Sequence, residues 1–478
     1  MTNTLPLTIP LPADFKQNIL HTFGEAFSEN LCRCLDSGKG DRSIRLNTAK
    51  YNTPLNLPVV PWYDQAYLIS GDSTFAYDPS WHAGLYYVQE AASMFVQQAL
   101  NSTLFDHSDP LLCLDLCAAP GGKSTLFASW LGQRGTLVSN EIIGSRTEIL
   151  KENIIKWGLG NTLVTNNDPA QFSALGEVFD IILVDAPCSG EGLFRRDPEA
   201  RNEWSVKQVG VNVERQQSIL TNAWNSLKEG GYLIYSTCTF NKEENEGQIA
   251  FLQENFGAEF IPIAVKEEWN IVQTEATGSY RFFPHRTAGE GFALCLLRKT
   301  DSSNDGKVKY KSKAISPVQW HRKFPLSDYL DTEKSQTQAY IANDQYMALT
   351  RHQSEICQSL LHSHYIKYAG TDIGSYKQKD FIPSHALSQS IYLKNDAFEQ
   401  VALTYDEAVA YLRKENVLPA SSAAKGLQLV TYNQANIGFM KLISPTRSNN
   451  YYPNEWRIRQ APELNAQEKF RLEKVSDQ

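Results

Sequence analysis

The sequence predicts an α/β protein whose central sheet is parallel and covered by helices on both faces. Between residues 111 and 237, short apolar runs of strand length alternate with longer segments of helical character. This alternation is typical of βαβ units, which join parallel strands through a covering helix. The apolar runs are continuous, as in strands that are buried on both sides. Small-residue loops follow some of these strands, where ligands bind in sheets of this class.

The predicted strands and helices follow in order. The strands are expected at 111–116, 135–141, 163–165, 179–185 and 232–237, with a late edge strand at 292–297. The helices are expected at 124–131, from the second strand to about residue 157, and at 206–227. Gly230 and Gly231 break the last helix. We assign residues 106–300 to this domain.

The flanking regions predict smaller units. Residues 1–105 mix helix and strand signals, including a short strand at 43–47, and form an N-terminal α+β unit. The polar, turn-rich segment 301–306 opens a linker and a small middle domain that we place at 301–388. The final unit, 389–478, has a capping box from Thr404 to Glu407 before a helix. Two strand-like runs then follow at 427–432 and 437–442, so this unit is also predicted to be α+β.

The composition excludes several classes of protein. With 478 residues, 42% hydrophobic and 21% charged, the chain is neither disordered nor fibrous. It has no apolar run of the ~20 residues that span a bilayer and no signal-peptide pattern, so we expect a cytoplasmic protein without membrane contact. Its eight cysteines are too sparse for a disulfide framework. Because the net charge is −8, any nucleic-acid contact must depend on local basic patches.

The loop after the first strand has two possible interpretations. Its central residues are Cys117, Ala118, Ala119, Pro120, Gly121, Gly122 and Lys123. The Gly122-Lys123-Ser124 sequence matches the end of a nucleotide-triphosphate P-loop. However, Cys117 stands where the first P-loop glycine belongs, and Pro120 removes one backbone donor. The second interpretation, which we favour, is a pocket for S-adenosylmethionine.

Acidic residues at the strand ends support the cofactor interpretation. Glu141 ends the second strand at about the distance after Asp115 at which an acid contacts a ribose in dinucleotide folds. Asp168 follows the third strand, where an adenine edge would lie. Each acid alone is equally explained as a helix cap or turn residue, and for Asp168 that is the more frequent case. Together, at the ends of successive strands, the acids favour a ligand.

Two cysteines follow two neighbouring strands and face the same cleft. Cys188 lies in the Asp185–Gly192 segment after the fourth strand, and Cys238 follows the fifth strand. A cysteine is more often a small buried hydrophobe than a nucleophile. That interpretation suits Cys113, Cys295 and Cys357, but it is weaker for two thiols in polar turns. No cysteine and histidine spacing completes a tetrahedral set, so no metal site is predicted.

The order of these motifs resembles the Nol-Nop-Sun family of RNA (cytosine-5)-methyltransferases. The matching segments are 87–91, 117–123, 185–192 and 236–239. The C-terminal segments 437–438 and 450–453 resemble the extension of the bacterial RsmF type, which methylates a cytosine in the decoding-site helix of 16S ribosomal RNA. The resemblance implies a class I, Rossmann-like core. It also implies an RNA-binding N-terminal unit and a PUA-like RNA-binding domain at the C-terminus.

The resemblance also implies residue roles and partners. Cys238 is the nucleophile that adds to carbon 6 of cytosine, Cys188 helps release the product, and Asp185 contacts the base. The cofactor is S-adenosylmethionine, held by 117–123, Glu141, Asp168 and Asp185. The implied partner is ribosomal RNA or the small ribosomal subunit, with transfer RNA or 23S RNA as alternative substrates. A catalytically silent RNA-binding assembly factor remains the alternative from another functional class.

A basic run interleaved with aromatic residues supplies one candidate RNA contact. It contains Lys307, Lys309, Lys311, Lys313, Arg322 and Lys323, with Trp320 able to stack on a base. A solvated linker explains the same run equally well. A second basic and aromatic cluster contains Lys441, Arg447, Arg457, Arg459, Tyr451, Tyr452 and Trp456. Because both cysteines and the late strand precede residue 300, we expect removal of residues 301–478 to leave the sheet folded and to weaken RNA binding.

Overall fold

The central domain confirms the predicted α/β class. The computed structural model describes residues 9–38, 40, 42–70, 73–105, 110–274, 278–301, 319–360, 363–419, 425–460 and 470–472.

The N-terminal elements are α1 (Ala13–Phe23), α2 (Glu25–Asp36), β1 (Arg42–Leu46), β2 (Val59–Val60), β3 (Tyr63–Ile69), α3 (Pro79–His82), β4 (Tyr86–Val88) and α4 (Val96–Asn101). β1 to β4 pair in a separate antiparallel sheet of order β2-β3-β1-β4. This unit is α+β, as expected.

The central domain contains the predicted repeat. Its elements are β5 (Leu111–Asp115), α5 (Gly122–Leu131), β6 (Gly135–Asn140), α6 (Gly144–Trp157), β7 (Thr162–Thr165), α7 (Pro169–Ser173), β8 (Phe179–Asp185), α8 (Pro198–Glu203), α9 (Val206–Ser226), β9 (Leu227–Thr237), α10 (Glu246–Phe256), β10 (Glu259–Phe260), β11 (Val272–Gln273), β12 (Tyr280–Phe282) and β13 (Phe292–Arg298). Strands β9, β8, β5, β6 and β7 are parallel neighbours. Adjacent residues such as Cys113 and Leu114 pack into separate cores on opposite faces, which explains the continuous apolar strands.

Two details of the predicted sheet are wrong. The strand at 292–298 is internal, because β9 pairs with one of its edges and β12 with the other. Its antiparallel direction makes the sheet mixed. Gly230 and Gly231 lie inside β9 and do not follow the helix, which ends at Ser226. Gly230 has φ +76°, a conformation that glycine adopts without strain.

The C-terminal half forms two further sheets. The middle elements are β14 (Gln319–Trp320), α11 (Thr332–Ser335), β15 (Thr337–Ala342), β16 (Gln345–Thr350), α12 (Arg351–Leu360), β17 (Ile366–Ala369), β18 (Thr371–Lys377), β19 (Asp380–Pro383) and α13 (His385–Gln389). The last elements are β20 (Glu399–Ala402), α14 (Tyr405–Leu412), β21 (Gly426–Tyr432), β22 (Ala435–Ser444) and β23 (Arg447–Asn450). The capping box at Thr404 and Glu407 is present, as predicted. Lysines 307–313 lie outside the described residues, whereas Trp320 and Arg322 stack on each other at 4.1 Å.

The middle region is not an independent appendage of the central domain. β17 pairs antiparallel with β7 and so extends the central sheet to the order β11-β12-β13-β9-β8-β5-β6-β7-β17. Ile356, Cys357 and Leu360 of α12 belong to the same apolar core as Val138 and Leu163. No local pattern indicates this pairing, because β17 is short and is separated from β7 by about 200 residues of chain.

We expect removal of residues 301–478 to destabilise the central domain, contrary to the sequence-based expectation. The cut exposes the β7 edge and the apolar side chains that α12 covers, and an uncovered edge strand promotes association. Thermal unfolding and light scattering of the truncated and full chains test this. A truncated chain with an unchanged melting temperature and no self-association would show that the β17 pairing contributes little.

The N- and C-terminal units share a core. Tyr411, Tyr432 and Ile437 of the C-terminal unit pack in one cluster with Ile44 and Tyr86. Lys50 joins three units at the end of α6, since its Nζ donates to the carbonyl oxygens of Ala83 and Lys156 and to Oε1 of Gln389. Phe470 and Leu472 return to the N-terminal unit, where their backbone N–H groups bond to Thr74 O and Asp78 Oδ2.

Candidate active site

A cavity of about 360 Å³ opens at the carboxyl edge of the central sheet. Its wall brings together the loop after β5, the end of β8 and the residue after β9. The N-terminal unit closes the cavity with the segment from Tyr87 to Glu90. The sequence-predicted residues on the wall are Cys117, Ala118, Ala119, Pro120, Gly122, Lys123, Asp185 and Cys238. Ligands bind at this edge in open α/β sheets.

The β5–α5 loop is held by three side chains, one from β1 and two from α6. Arg45 Nη2 donates to Gly122 O at 3.2 Å, Arg146 Nη2 to Ala119 O at 2.8 Å and Asn153 Nδ2 to Pro120 O at 2.8 Å. Gly121 has φ +113°, which an L side chain rarely adopts. The loop is therefore a fixed backbone cradle.

Asp115 has one carboxylate oxygen satisfied and one free of hydrogen bonds. Its Oδ2 accepts from Ser124 Oγ at 2.6 Å, whereas its buried Oδ1 has no partner among the described residues. Burial is the main reason that the pKa of Asp115 is raised to about 7, and the negative charges of Asp185 and Glu141 add to it. An unsatisfied buried oxygen on a cavity wall is free to accept a hydrogen bond from a bound ligand.

Glu141 and Asp168 have different surroundings. Glu141 is buried, with Oε1 accepting from the backbone N–H of Ile143 at 2.9 Å and Arg146 at 3.7 Å from Oε2. Asp168 is exposed and caps α7, accepting from Ala170 N at 2.9 Å in a capping box with Gln171. Neither side chain is on the cavity wall, so their place in a cofactor site stays a prediction.

Asp185 and Lys123 form an ion pair across the cavity. Lys123 Nζ lies 2.8 Å from Asp185 Oδ2, and Ser236 Oγ donates to Asp185 Oδ1 at 2.8 Å. Burial alone would lower the pKa of Lys123, but the Asp185 charge outweighs it and the pKa of Lys123 is raised. A charged donor and acceptor are therefore fixed side by side next to the thiols.

The two predicted cysteines meet. The Sγ atoms of Cys188 and Cys238 are 3.2 Å apart, with Cys238 on the cavity wall and Cys188 behind it. The hydrogen bond with Cys238 raises the pKa of Cys188 most, and burial and the Cys238 charge add to it. Glu244 fixes the Cys188 loop, because it accepts hydrogen bonds from Ser189 and from Gln216. Cys113, Cys295 and Cys357 are buried, as expected for structural cysteines.

Sequence reasoning missed part of this site. It counted Asp115 among the acids that favour a ligand but did not predict its unpartnered oxygen, and it did not pair Lys123 with Asp185. It also did not foresee that Arg196 and Glu290 would line the cavity together, 2.6 Å apart. Within the described ranges no cluster of three or more metal-ligating side chains occurs, and no helix there is long and apolar enough to cross a membrane.

Three family models match successive parts of the chain. They are 16S rRNA methyltransferase RsmB/F at residues 102–298, the N-terminal domain of 16S rRNA methyltransferase RsmF at 11–91, and the methyltransferase RsmF PUA domain at 398–458. Ribosomal RNA small subunit methyltransferase F of Escherichia coli O1:K1 is 31% identical over 447 residues, covering 87% of this chain and 90% of the relative. The Salmonella arizonae protein of the same name is 30% identical over 440 residues, with the same coverage.

The chain belongs to the RsmF family. RsmF-family enzymes are S-adenosylmethionine-dependent rRNA methyltransferases, so the predicted family, enzyme class and cofactor are confirmed. A methyltransferase homologue from Pyrococcus horikoshii covers 60% of this chain and 94% of its own, at 25% identity and TM-score 0.50. NSun6 from the same organism, solved with SFG, covers 61% and 98% at 20% identity and TM-score 0.52, and confirms the class I fold.

The site of this RsmF-family chain fits S-adenosylmethionine. The cofactor carries a positive sulfonium and an amino group, and the wall offers the free Oδ1 of Asp115 and the small-residue cradle. Asp185 is a second carboxylate on the wall. Opposite charges in a partly enclosed cavity attract strongly.

The Glu141→Ala variant is expected to weaken S-adenosylmethionine binding by about 1–3 kcal/mol, the cost of stranding hydrogen-bond partners. Calorimetry measures this directly. An Asp168→Asn variant is the matched comparison, because asparagine keeps the α7 cap and removes the charge. If Glu141→Ala binds as well as the parent, Glu141 has no place in the site. If Asp168→Asn also binds normally, Asp168 only caps the helix.

Proposed function

We propose that this chain transfers a methyl group from S-adenosylmethionine to carbon 5 of a cytosine in 16S ribosomal RNA, in the decoding-site helix. The observation that carries the reaction type is the pair of thiols 3.2 Å apart, one of them on the wall shared with the cofactor loop. The names of the relatives support small-subunit ribosomal RNA as the substrate. Such a substrate is made and used in the cytoplasm, the location that we propose.

The chemistry explains why a thiol is needed. Carbon 5 of cytosine is a poor nucleophile, and the thiolate of Cys238 corrects this by forming a bond to carbon 6. The displaced ring electrons shift towards N3, which takes up a proton shared with Asp185, so that carbon 5 becomes an enamine carbon. Asp185 also accepts from the exocyclic amine, and Lys123 pairs with Asp185 at 2.8 Å. The cofactor supplies the methyl group that this carbon takes up.

Product release needs a base and a leaving group. The proton on carbon 5 must depart, and its electron pair re-forms the ring double bond while the bond from carbon 6 to Cys238 breaks. Cys188 is placed for this step. Its pKa is raised chiefly by Cys238, so the pKa of Cys188 falls once Cys238 is tied up in the carbon–sulfur bond. The Cys188 thiol then gives up its own proton more readily, and the resulting thiolate is the base that takes the carbon 5 proton.

The target base must leave its stack to reach this cavity, at a cost of a few kcal/mol. The N-terminal unit, residues 1–105, and the PUA-like unit, residues 389–478, therefore bind the RNA around this base. For the N-terminal unit, this role is supported by the position of Tyr87 to Glu90 on the cavity wall. The catalytic residues are then Cys238, Cys188 and Asp185, and the cofactor residues are 117–123, Glu141, Asp168 and Asp185.

The test is to map the methyl group. The full chain is incubated with labelled cofactor and, separately, with free 16S RNA, small subunits, 23S RNA and bulk transfer RNA. We expect label at carbon 5 of one cytosine in 16S RNA or in the small subunit. Label confined to transfer RNA or 23S RNA would show that this RNA, and not 16S RNA, is the substrate. Tight RNA binding with no label in any arm would identify an assembly factor, and tight ATP binding without cofactor binding would restore the P-loop interpretation.

Cofactor affinity is expected to rise with pH, by about tenfold between roughly pH 5.5 and 7. Burial raises the pKa of Asp115 to about 7, so the carboxyl group is mostly neutral at the low end of this range. It ionises as the pH rises, and only the anion attracts the positive cofactor. Calorimetry over this range measures the effect. The Asp115→Asn variant should bind weakly at every pH, and an equally steep pH profile in that variant would exclude Asp115 as the cause.

A further inference from the structure

The middle sheet has no assigned role. It runs through β14, β15, β16, β18 and β19, and the three family matches end at residue 298 and resume at residue 398. A cavity of about 320 Å³ lies between its β18–β19 hairpin and the C-terminal sheet, where Leu427 of β21 and Lys441 of β22 line it. We call this cavity the inter-sheet cleft. None of its wall residues lines the active-site cavity.

The floor of the inter-sheet cleft is aromatic and apolar. Phe381, Leu427 and Tyr451 line it, and all three pack against a core that both sheets share. Tyr376 stands beside Phe381 with ring centroids 5.3 Å apart and is 44% exposed. Half-exposed aromatic rings on a rigid sheet are the surfaces on which unstacked bases settle. The cleft volume is in the range of pockets that take small ligands of nucleoside size.

The rim of the inter-sheet cleft is basic. Lys377 and Lys441 line it, and Lys379 is exposed in the turn between β18 and β19. Asp380 is the acid on the wall, and its carboxylate is 4.0 Å from Lys441 Nζ in an exposed pair. Such a pair is weak and leaves the lysine free to bind another anion. On a chain of net charge −8, a local group of lysines still attracts a polyanion to its own neighbourhood.

We propose that the inter-sheet cleft binds an unpaired nucleotide of the RNA substrate, away from the cytosine that is methylated. Phe381 and Tyr451, the two aromatic residues on the cleft wall, stack on the base, and Lys377 and Lys441 contact the flanking phosphates. This inference rests on the proposed RNA substrate, and it gives the middle sheet the role of a second grip on the RNA. The grip positions the RNA without touching the reacting atoms.

The test compares a cleft variant with a matched control. The cleft variant is Lys377→Gln with Lys441→Gln. The control is Lys266→Gln with Lys334→Gln, two exposed lysines outside the cleft. RNA affinity is measured over a salt series, together with KM and kcat for methyl transfer. We expect the cleft variant to raise Kd and KM about tenfold and to leave kcat unchanged. Its salt slope should fall by about 0.7 for each phosphate that the lysines no longer bind. Tyr451→Ala, which removes a ring from the cleft wall, should weaken binding without changing the slope.

Several outcomes would overturn the proposal. Cleft and control variants with equal Kd and equal slopes would exclude RNA from the cleft. A loss of affinity for assembled small subunits, with unchanged affinity for the free RNA, would assign the cleft to a ribosomal protein. Binding to labelled single-stranded oligonucleotides separates this proposal from the proposed reaction. If no RNA is methylated but oligonucleotide binding still depends on the two lysines, the proposed reaction is wrong and the proposed RNA-binding role of the inter-sheet cleft is kept.

Discussion

Replacing Cys238 by alanine is expected to abolish methyl transfer, by a factor on the order of 10⁴ or more, and to leave S-adenosylmethionine affinity unchanged. Cys238 is on the cavity wall, with the ion pair of Lys123 and Asp185 on the same wall. Without it, carbon 6 of the cytosine has no nucleophile and carbon 5 stays unreactive. Single-turnover methyl transfer and calorimetric titration of the cofactor are the two measurements.

The control for Cys238 is a thiol outside the cavity. Cys32 lies in α2 of the N-terminal unit, and the Cys32→Ala variant should keep full activity. Thermal unfolding of both variants separates a chemical defect from a folding defect. Residual methylation by Cys238→Ala within tenfold of the parent would remove this residue from the nucleophile role.

Replacing Cys188 by alanine is expected to produce the opposite defect, with a covalent protein–RNA species accumulating. Addition at carbon 6 and methyl uptake need only Cys238, whereas the carbon 5 proton then lacks the base that stood 3.2 Å from that thiol. Elimination therefore becomes the slow step, and the adduct should survive a denaturing gel with labelled RNA. The double variant, Cys188→Ala with Cys238→Ala, should show no adduct.

The two cysteine variants also distinguish between role assignments. If Cys238→Ala forms the adduct and Cys188→Ala does not, the nucleophile and the release group are exchanged. If neither variant forms an adduct and both retain activity, the reaction does not pass through a cysteine bond. Tritium release from carbon 5 of labelled cytosine follows the proton in each case.

Local patterns were sufficient for the central strands and for the approximate location of the site. Strand 179–185 coincides with β8, and the expected strands at 135–141 and 163–165 differ from β6 and β7 by one residue. These strands are buried on both faces, so their apolar runs are unambiguous. The loop from Cys117 to Lys123 and the two cysteines follow directly from parallel strands that end at the same edge.

Long-range pairing was beyond the reach of sequence patterns. The β17 strand pairs with β7 across the chain, and nothing in the polar residues around Ile366 indicates its partner. The sequence also does not show that Ser124 donates to only one carboxylate oxygen of Asp115 and leaves Oδ1 without a partner. The strand at 292–297 was predicted to be an edge strand because its outer neighbour, β12, has only three residues and gives no strand pattern of its own. Pairing and hydrogen-bond geometry decide these features, and neither has a local signature.

The return of Phe470 and Leu472 to the N-terminal unit bears on how the chain matures during translation. The partner of Asp78 lies 394 residues further along, and a ribosome needs roughly 20 to 80 seconds to make that length at ~5–20 residues per second. Until then the rings of Phe75 and Tyr86 lack the Phe470 ring that packs against both of them in the finished chain. The N-terminal unit, although it is made first, therefore completes its own packing only when the last residues of the chain have been added.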